Sequence, residues 1–141
     1  MTADELAALD FGALAAFWQS EIGRQLRALP AENVHREMPF TARMNTAVLR
    51  ALNLPPAGDN FGDDEFVVVQ GVADLAVLLD MEIWLLDFKT DDVSAGELAA
   101  KAKLYAPQLK LYALALSRIY KKPVTNCWLH FLALRRSEPV G

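Results

Sequence analysis

Two apolar runs separated by a short acidic break constrain the fold of this chain more than any other feature. Residues 65–75 and 83–91 are rich in β-branched, aliphatic and aromatic side chains, and Asp80-Met81-Glu82 lies between them. Runs of this length and composition, bounded by polar or turn-forming residues, predict strands. The short connection predicts that the two strands are neighbours, paired as a hairpin.

These runs carry two carboxylates and a lysine. Asp74 lies near the end of the first run, and the second run contains Asp87-Phe88-Lys89. Because side chains i and i+2 share one face of a strand, Asp87 and Lys89 are expected to point the same way. Mg²⁺ uses one or two protein carboxylates and keeps waters and substrate phosphate as its other ligands. Asp74, Asp87 and Lys89 are the groups that a metal-dependent phosphodiesterase site needs, with Lys89 beside the metal. The Asp87-Phe88-Lys89 triplet taken alone favours the alternative, a same-face ion pair at a strand end worth about 0–1 kcal/mol if exposed.

Length and composition predict one folded domain over residues 1–141. Apolar residues make up 53% of the chain and charged residues 23%, which excludes wholesale disorder. The net charge of −4 is unusual for a protein that binds nucleic acid alone. Two explanations stay open at this point. Either a metal offsets acidic residues at the site, or other domains supply most of the affinity for phosphate.

Several classes of protein and site are disfavoured. The single cysteine, Cys127, excludes an intrachain disulfide framework and gives no sign of an iron–sulfur cluster. No apolar stretch of about 18 residues is free of charge, and the N-terminus carries Asp4 and Glu5 instead of a basic segment. We therefore expect a cytoplasmic chain with no membrane partner.

The remaining periodicity predicts an α/β fold with a small mixed sheet of about four or five strands flanked by helices. A capping box of Ser94 and Glu97 is expected to open one helix, and Pro107 to lie in the first turn of the next. The tail after Arg136 is expected to be a disordered surface segment. The predicted elements are helical segments within Asp4–Leu29 with a break near Asp10-Phe11-Gly12, a strand over Val34–Met44, a loop over Asn53–Asp64, a helix over Ala95–Tyr105, a second helix ending at Pro123, and a strand over Val124–Leu134.

The first predicted strand contains a candidate site residue, Glu37. Simple alternation places Val34, Arg36, Met38 and Phe40 on one face and Glu37 on the other. Glu37 is expected either to approach the metal or to hold a neighbouring basic residue. Pro39, in the same strand, favours an edge position or a bulge. In the second strand, Gly71 indicates a bulge or a close backbone approach, which could bring substrate near Asp74.

The helix after Pro107 places Gln108 and Tyr112 on one face, four residues apart. Lys101, Lys103 and Lys110 are expected near that face and are candidates for phosphate contacts, although ordinary solvated lysines are the alternative. Four motifs then occur in order along the chain: Arg36-Glu37-Met38-Pro39-Phe40, Gln70-Gly71-Val72-Ala73-Asp74-Leu75, Asp87-Phe88-Lys89-Thr90-Asp91, and Gln108-Leu109-Lys110-Leu111-Tyr112.

With these motifs the chain resembles the nuclease domain of AddA/RecB-type helicase-nucleases, a branch of the PD-(D/E)XK superfamily. The resemblance implies a restriction-endonuclease-like core that binds Mg²⁺ or Mn²⁺. It implies that Asp74, Asp87 and the Phe88 backbone carbonyl are metal ligands and that Lys89 is the catalytic lysine. It also implies that Gln108 and Tyr112 help to place DNA at the site.

The resemblance further implies a function and partners. The expected activity is cleavage of single-stranded DNA, in exonuclease mode, in double-strand-break repair and recombination. The expected partners are a helicase domain in the same chain and a second helicase-nuclease subunit. One departure is that neither His35 nor His130 fits the family's metal-binding histidine, which lies on an upstream helix. The chain is therefore expected to be a fragment of a longer protein, and the alternative function is an inactive module that binds DNA or a partner subunit.

Overall fold

The structure is a computed structural model, and it describes residues 11–51 and 66–140. The expected loop over Asn53–Asp64 lies outside the described residues. The helices are α1 (Phe11–Gln19), α2 (Glu21–Ala28), α3 (Thr46–Ala51) and α4 (Leu98–Tyr120), with 3-10 turns at Ala31–Asn33 and Ala95–Glu97. The strands are β1 (Val34–Asn45), β2 (Phe66–Leu78), β3 (Ile83–Lys89), β4 (Val124–Phe131) and β5 (Arg136–Pro139).

The strands form one five-stranded mixed sheet in the order β1-β2-β3-β4-β5. Strands β2 and β3 pair antiparallel as the predicted hairpin, whose turn is closed by the Leu79 N–H donating to the Glu82 carbonyl at 2.9 Å. Strands β3 and β4 are parallel, and α4 forms the crossover that a parallel pair needs. This arrangement confirms the α/β fold and the mixed sheet expected from the sequence.

Helices cover both faces of the sheet. Helix α4 covers one face, where its buried Leu109 and Leu116 belong to the same cluster as the sheet residues Phe40, Leu85 and Phe131. The other face is covered by α1 and α2, and this second cluster contains Phe17, Leu26, Leu75, Val77 and Leu86. Ser20 caps α2 by accepting the Gly23 N–H at 3.2 Å. Among the described residues, no helix is long and apolar enough to cross a membrane.

Helix α4 is longer than predicted. The sequence predicted two helices separated near Pro107, whereas the structure has one helix of 23 residues with Pro107 in its interior. Proline removes one intrahelical hydrogen bond, but Leu98, Leu109, Ala115 and Leu116 are buried along the length of α4. Tertiary packing therefore keeps the helix continuous. The capping box of Ser94 and Glu97 is present and opens the 3-10 turn that leads into α4.

The C-terminal tail is also more ordered than predicted. Residues Arg136–Pro139 form β5, which pairs antiparallel with β4 from Trp128↔Pro139 to Phe131↔Arg136. The short polar stretch lacks the apolar alternation by which strands are recognised in a sequence. It becomes a strand because β4 offers it a free edge, so the expected disorder was wrong for this segment.

Strand β1 lies at the edge of the sheet, as Pro39 suggested, but its side-chain alternation is interrupted at Glu37. Arg36 pairs with Leu75 and Met38 pairs with Ala73, while Glu37 has φ 48° and no partner in the ladder. A left-handed residue within a strand rotates the backbone that follows it. Arg36 therefore stacks on Trp18 of α1, whereas Met38 packs toward α4. The prediction that Arg36 and Met38 share a face was wrong.

Candidate active site

Asp74 lies at the point where β2 and β3 separate. The last paired residues of the hairpin are Leu75 and Leu86, so the backbone of Phe88 no longer bonds to the backbone of β2. Instead, the Phe88 N–H donates to Asp74 Oδ2 at 2.9 Å. Asp74 is 8% exposed and lies opposite Glu37, where both strands depart from regular pairing. The interrupted ladder thus gives the Asp74 carboxylate room to reach β3.

Asp87 and Lys89 share one face of β3, as predicted. Lys89 Nζ lies 2.8 Å from Asp87 Oδ2, and both side chains are about four-fifths buried. Burial, together with a hydrogen bond to the Asp74 carboxyl, raises the pKa of Asp87 to about 6 against the opposing effect of Lys89. The two carboxyl groups therefore converge closely enough to compete for one proton. A divalent cation held between them would favour the ionised form of both.

The Phe88 backbone is directed into the same gap. In an extended strand, the N–H and C=O of one residue point toward the same neighbouring strand. Because the Phe88 N–H bonds to Asp74, its carbonyl faces the same side. The Phe88 side chain points the other way and packs edge-on against Phe17 of α1, with ring centroids 4.9 Å apart. The carbonyl of Phe88 is thus available beside the two carboxylates.

An open cleft of about 320 Å³ surrounds these groups. One wall is the end of β3 and the loop after it, and the opposite wall is α4. Gln108 and Tyr112 line the α4 wall, on one helical face as predicted. The full lining is Val72, Asp74, Asp87, Phe88, Lys89, Thr90, Asp91, Tyr105, Gln108, Leu109 and Tyr112.

Gly71 explains how Tyr112 reaches the cleft. A Cβ atom at Gly71 would lie 2.7 Å from Phe40 Cζ and 2.8 Å from Tyr112 Cζ, which is too close for any side chain. The Phe40 and Tyr112 rings meet edge to face above this glycine, with centroids 4.9 Å apart. The sequence predicted a bulge or a close backbone approach at Gly71, whereas the groups that approach it in the structure are the aromatic side chains of Phe40 and Tyr112.

Two further residues of the cleft, Tyr105 and Asp91, were given no role by the sequence reasoning. The Tyr105 hydroxyl donates to Asp91 Oδ2 at 2.5 Å, and Lys101 Nζ lies 3.5 Å from the same oxygen. This hydroxyl bond lowers the pKa of Asp91 and raises the pKa of Tyr105. The signal was present in the spacing, because Lys101, Tyr105, Gln108 and Tyr112 follow one another at intervals of four, three and four residues. Residues at intervals of three and four lie on the same face of a helix, so these four side chains share one face of α4.

Two predicted site residues are absent from the lining of this cleft. Glu37 lines a second, mainly apolar cleft with Trp18 and Arg36, and Asp74 and Phe88 line that second cleft as well. Lys110 was expected near the face that carries Gln108 and Tyr112, but it lines a groove with Pro123 and Cys127 on another side of α4. The error arose because the wide apolar surface of α4 did not define a single polar face. Lys101, in contrast, does lie at the edge of the cleft.

Neither histidine belongs to the cleft. His130 is buried in β4 on the α1 side of the sheet, where its ring packs against Phe17 at a centroid distance of 4.8 Å. His35 lies in β1, paired with Ala76. Among the residues that the structure describes, no group of three or more His, Cys, Asp or Glu side chains is placed to hold a metal ion. Asp74 and Asp87 are the two carboxylates that converge in the described part of the cleft, and Mg²⁺ commonly uses one or two protein carboxylates.

Comparison with known proteins assigns the chain to a family. The model of the PD-(D/E)XK nuclease superfamily matches residues 3–139. The chain belongs to the PD-(D/E)XK nuclease superfamily. This result confirms the resemblance and the restriction-endonuclease-like fold class expected from the four motifs. Nucleases of the PD-(D/E)XK superfamily generally use divalent metal ions, which agrees with the paired carboxylates of the cleft.

The curated relatives of this PD-(D/E)XK chain are much longer proteins, named as subunits of an ATP-dependent helicase/nuclease. The chain is 33% identical over 137 residues to the relative from Geobacillus kaustophilus, covering 92% of this chain and 10% of the relative. It is 34% identical over 132 residues to the relative of the same name from Carboxydothermus hydrogenoformans, covering 94% of this chain and 10% of the relative. The chain thus spans about a tenth of the length of these relatives.

Proposed function

We propose that this chain is the catalytic domain of a metal-dependent deoxyribonuclease that cleaves phosphodiester bonds in single-stranded DNA, as an exonuclease. The observation that carries the proposal is the convergence of Asp74, Asp87 and Lys89 in one open cleft. Two carboxylates and a backbone carbonyl suit a hard cation such as Mg²⁺ or Mn²⁺. The superfamily match supports the hydrolytic reaction class.

In this mechanism, Asp74, Asp87 and the Phe88 carbonyl would hold the cation. The Phe88 N–H keeps the Asp74 carboxylate aimed into the gap between β2 and β3. When bound, the cation supplies Lewis-acid polarisation of the phosphate and makes a water more acidic. Lys89 stabilises the negative charge that develops on the phosphate oxygens. Gln108 and Tyr112, on the opposite wall, hydrogen-bond the DNA strand and orient the scissile phosphate.

The relatives support a wider role for the whole protein. Their name describes an ATP-dependent helicase joined to a nuclease, and we propose that a helicase in the same chain delivers a single strand to this domain. The proposed partner is a second helicase-nuclease subunit. The proposed process is double-strand-break repair and recombination in the cytoplasm. The net charge of −4 agrees with this arrangement, because other domains would then provide the phosphate affinity.

The test is cleavage of end-labelled single-stranded DNA with and without Mn²⁺, using this chain and a version extended at its N-terminus. Asp87→Ala is expected to lower the rate at least about 100-fold, since it removes a metal ligand. The matched control is Asp92→Ala, which removes an exposed carboxylate five residues away. Equal cleavage by the wild type and Asp87→Ala would contradict the proposal. Absence of Mn²⁺ binding and cleavage in both versions would favour the alternative function, an inactive module that binds DNA or a partner subunit.

A further inference from the structure

Among the described residues, Lys89 contacts one carboxylate and one aromatic ring in the cleft. Its ammonium nitrogen lies 2.8 Å from Asp87 Oδ2 and 4.2 Å from the centroid of the Tyr105 ring. A cation above an aromatic face is attracted by the electron-rich ring, most strongly where water is excluded. The Lys89 side chain is 18% exposed, so both interactions operate in a poorly hydrated place.

The two partners differ in whether a metal ion competes for them. In the proposed mechanism Asp87 is a metal ligand, and a divalent cation bound there neutralises the charge that attracts Lys89 and repels the ammonium group. The Tyr105 ring carries no net charge and binds no hard cation. The interaction with Tyr105 therefore persists in the state in which the nuclease would react.

The ring itself is held in place by a polar bridge from α4 to the loop after β3. The Tyr105 hydroxyl donates to Asp91, only two residues beyond Lys89, and Lys101 Nζ lies 3.5 Å from the same Asp91 oxygen. The ring also lies beside Phe131 of β4, with centroids 6.4 Å apart. The hydroxyl bond raises the pKa of Tyr105. Tyr105 is thus fixed by contacts that do not involve the metal site.

We propose that Tyr105 is a positioning residue that keeps the Lys89 ammonium group over the cleft when a divalent cation occupies the two carboxylates, with Asp91 fixing the ring. The inference rests on the proposed nuclease function and adds a residue that the four motifs do not assign. It predicts that the aromatic face of Tyr105 matters more than its hydroxyl group, because the face contacts Lys89 and the hydroxyl acts only through Asp91.

The first test measures the position of Lys89 and needs no activity. Protons above an aromatic face are shifted upfield by the ring current, so the Lys89 ε-methylene resonance in NMR reports whether the ammonium end lies over Tyr105. We expect an upfield shift in the wild type with Mg²⁺, a similar shift in Tyr105→Phe, and its loss in Tyr105→Leu. A shift that is absent in the wild type with Mg²⁺, or unchanged in Tyr105→Leu, would overturn the proposal.

The second test measures single-strand cleavage by the same variants with Mn²⁺. Tyr105→Leu is expected to lower kcat about 10-fold with little change in KM, because Lys89 acts in the transition state and not in binding. Tyr105→Phe is expected to retain kcat within about threefold, because it keeps the aromatic ring and removes only the hydroxyl group. This difference between the two variants distinguishes the role of the ring from that of the hydroxyl. Equal loss of kcat in both variants, or a change confined to KM, would refute the role of the ring.

The control is Tyr120→Leu, at the C-terminal end of α4 and away from the cleft, where the tyrosine is 38% exposed. It is expected to keep both the Lys89 shift and kcat. If no variant and no wild-type protein cleaves DNA, the proposed function fails, while the NMR measurement still decides whether Tyr105 holds Lys89. Thermal unfolding of each variant checks that the fold is intact, and Tyr105→Phe serves as the folded comparison if Tyr105→Leu is unstable.

Discussion

Acid should destabilise this protein through His130. The imidazole is 1% exposed and packs against Phe17, and its Nδ1 lies 2.7 Å from Ser137 Oγ. Its Nε2 is buried with no hydrogen-bond partner among the described residues. Burial lowers the pKa of His130 to about 4, because the charged ring would lose its water in this apolar site. In the unfolded chain the pKa returns to about 6.5.

The sign and size of the effect follow from these two values. Between pH 6.5 and pH 4 the unfolded chain binds a proton that the folded protein does not, so the free energy of unfolding falls as the pH falls. Through His130 alone, lowering the pH from 7 to 5 should remove about 2 kcal/mol, and this loss approaches about 3 kcal/mol near pH 4. The raised pKa of Asp87 acts in the opposite direction over the same range, because there the folded protein binds the proton, so the His130 contribution is measured as the difference between the wild type and His130→Leu. For a domain of this size such a loss is a large fraction of the total stability.

The assay is urea denaturation at pH 7 and pH 5, followed by tryptophan fluorescence. His130→Leu should lose about 2 kcal/mol less than the wild type over this range, since it has no imidazole to protonate in the unfolded state. His35→Leu, which removes the other histidine and leaves His130 in place, should lose as much as the wild type. Equal losses in the wild type and His130→Leu, or an NMR titration of His130 with its midpoint near pH 6.5, would refute the reasoning.

Three further predictions concern other parts of the chain. Gly71→Ala should lower the free energy of unfolding by about 1–3 kcal/mol in urea, because the new methyl group overlaps the rings of Phe40 and Tyr112; unchanged stability would mean that the rings move freely. Lys121→Gly should raise the free energy of unfolding by about 1 kcal/mol in calorimetry, since Lys121 ends α4 in the left-handed region with φ 56°. A decrease would show that the contacts of the Lys121 side chain outweigh the backbone strain. Mn²⁺ at 100 times its dissociation constant should add about 2.7 kcal/mol to the wild type and almost nothing to Asp87→Ala; equal stabilisation would place the metal elsewhere.

Much of the fold could be read from local patterns. The hairpin of β2 and β3 follows from two apolar runs around a polar break, and the start of α4 follows from the capping box of Ser94 and Glu97. These signals can be recognised in a sequence because the interactions behind them join residues only a few positions apart. The separation of Asp87 and Lys89 by two residues likewise predicted their common face, because the period of a strand is local.

The errors arose where distant contacts decide the local structure. Pro107 was expected to divide a helix, but packing of α4 on the sheet holds it continuous. Arg136–Pro139 becomes a strand only because β4 has a free edge. Lys110 was assigned to the wrong side of α4, since an apolar helix in contact with several elements shows no single polar face.

The amino-acid sequence alone therefore determined the type and order of the main elements, the motifs and the pairing of Asp87 with Lys89. Only the tertiary structure decided that β2 and β3 part at Asp74 and that Tyr105 lies under Lys89. The physical reason is that each of these contacts joins segments separated by more than ten residues. Their geometry depends on how the sheet and α4 pack together, which no local pattern records.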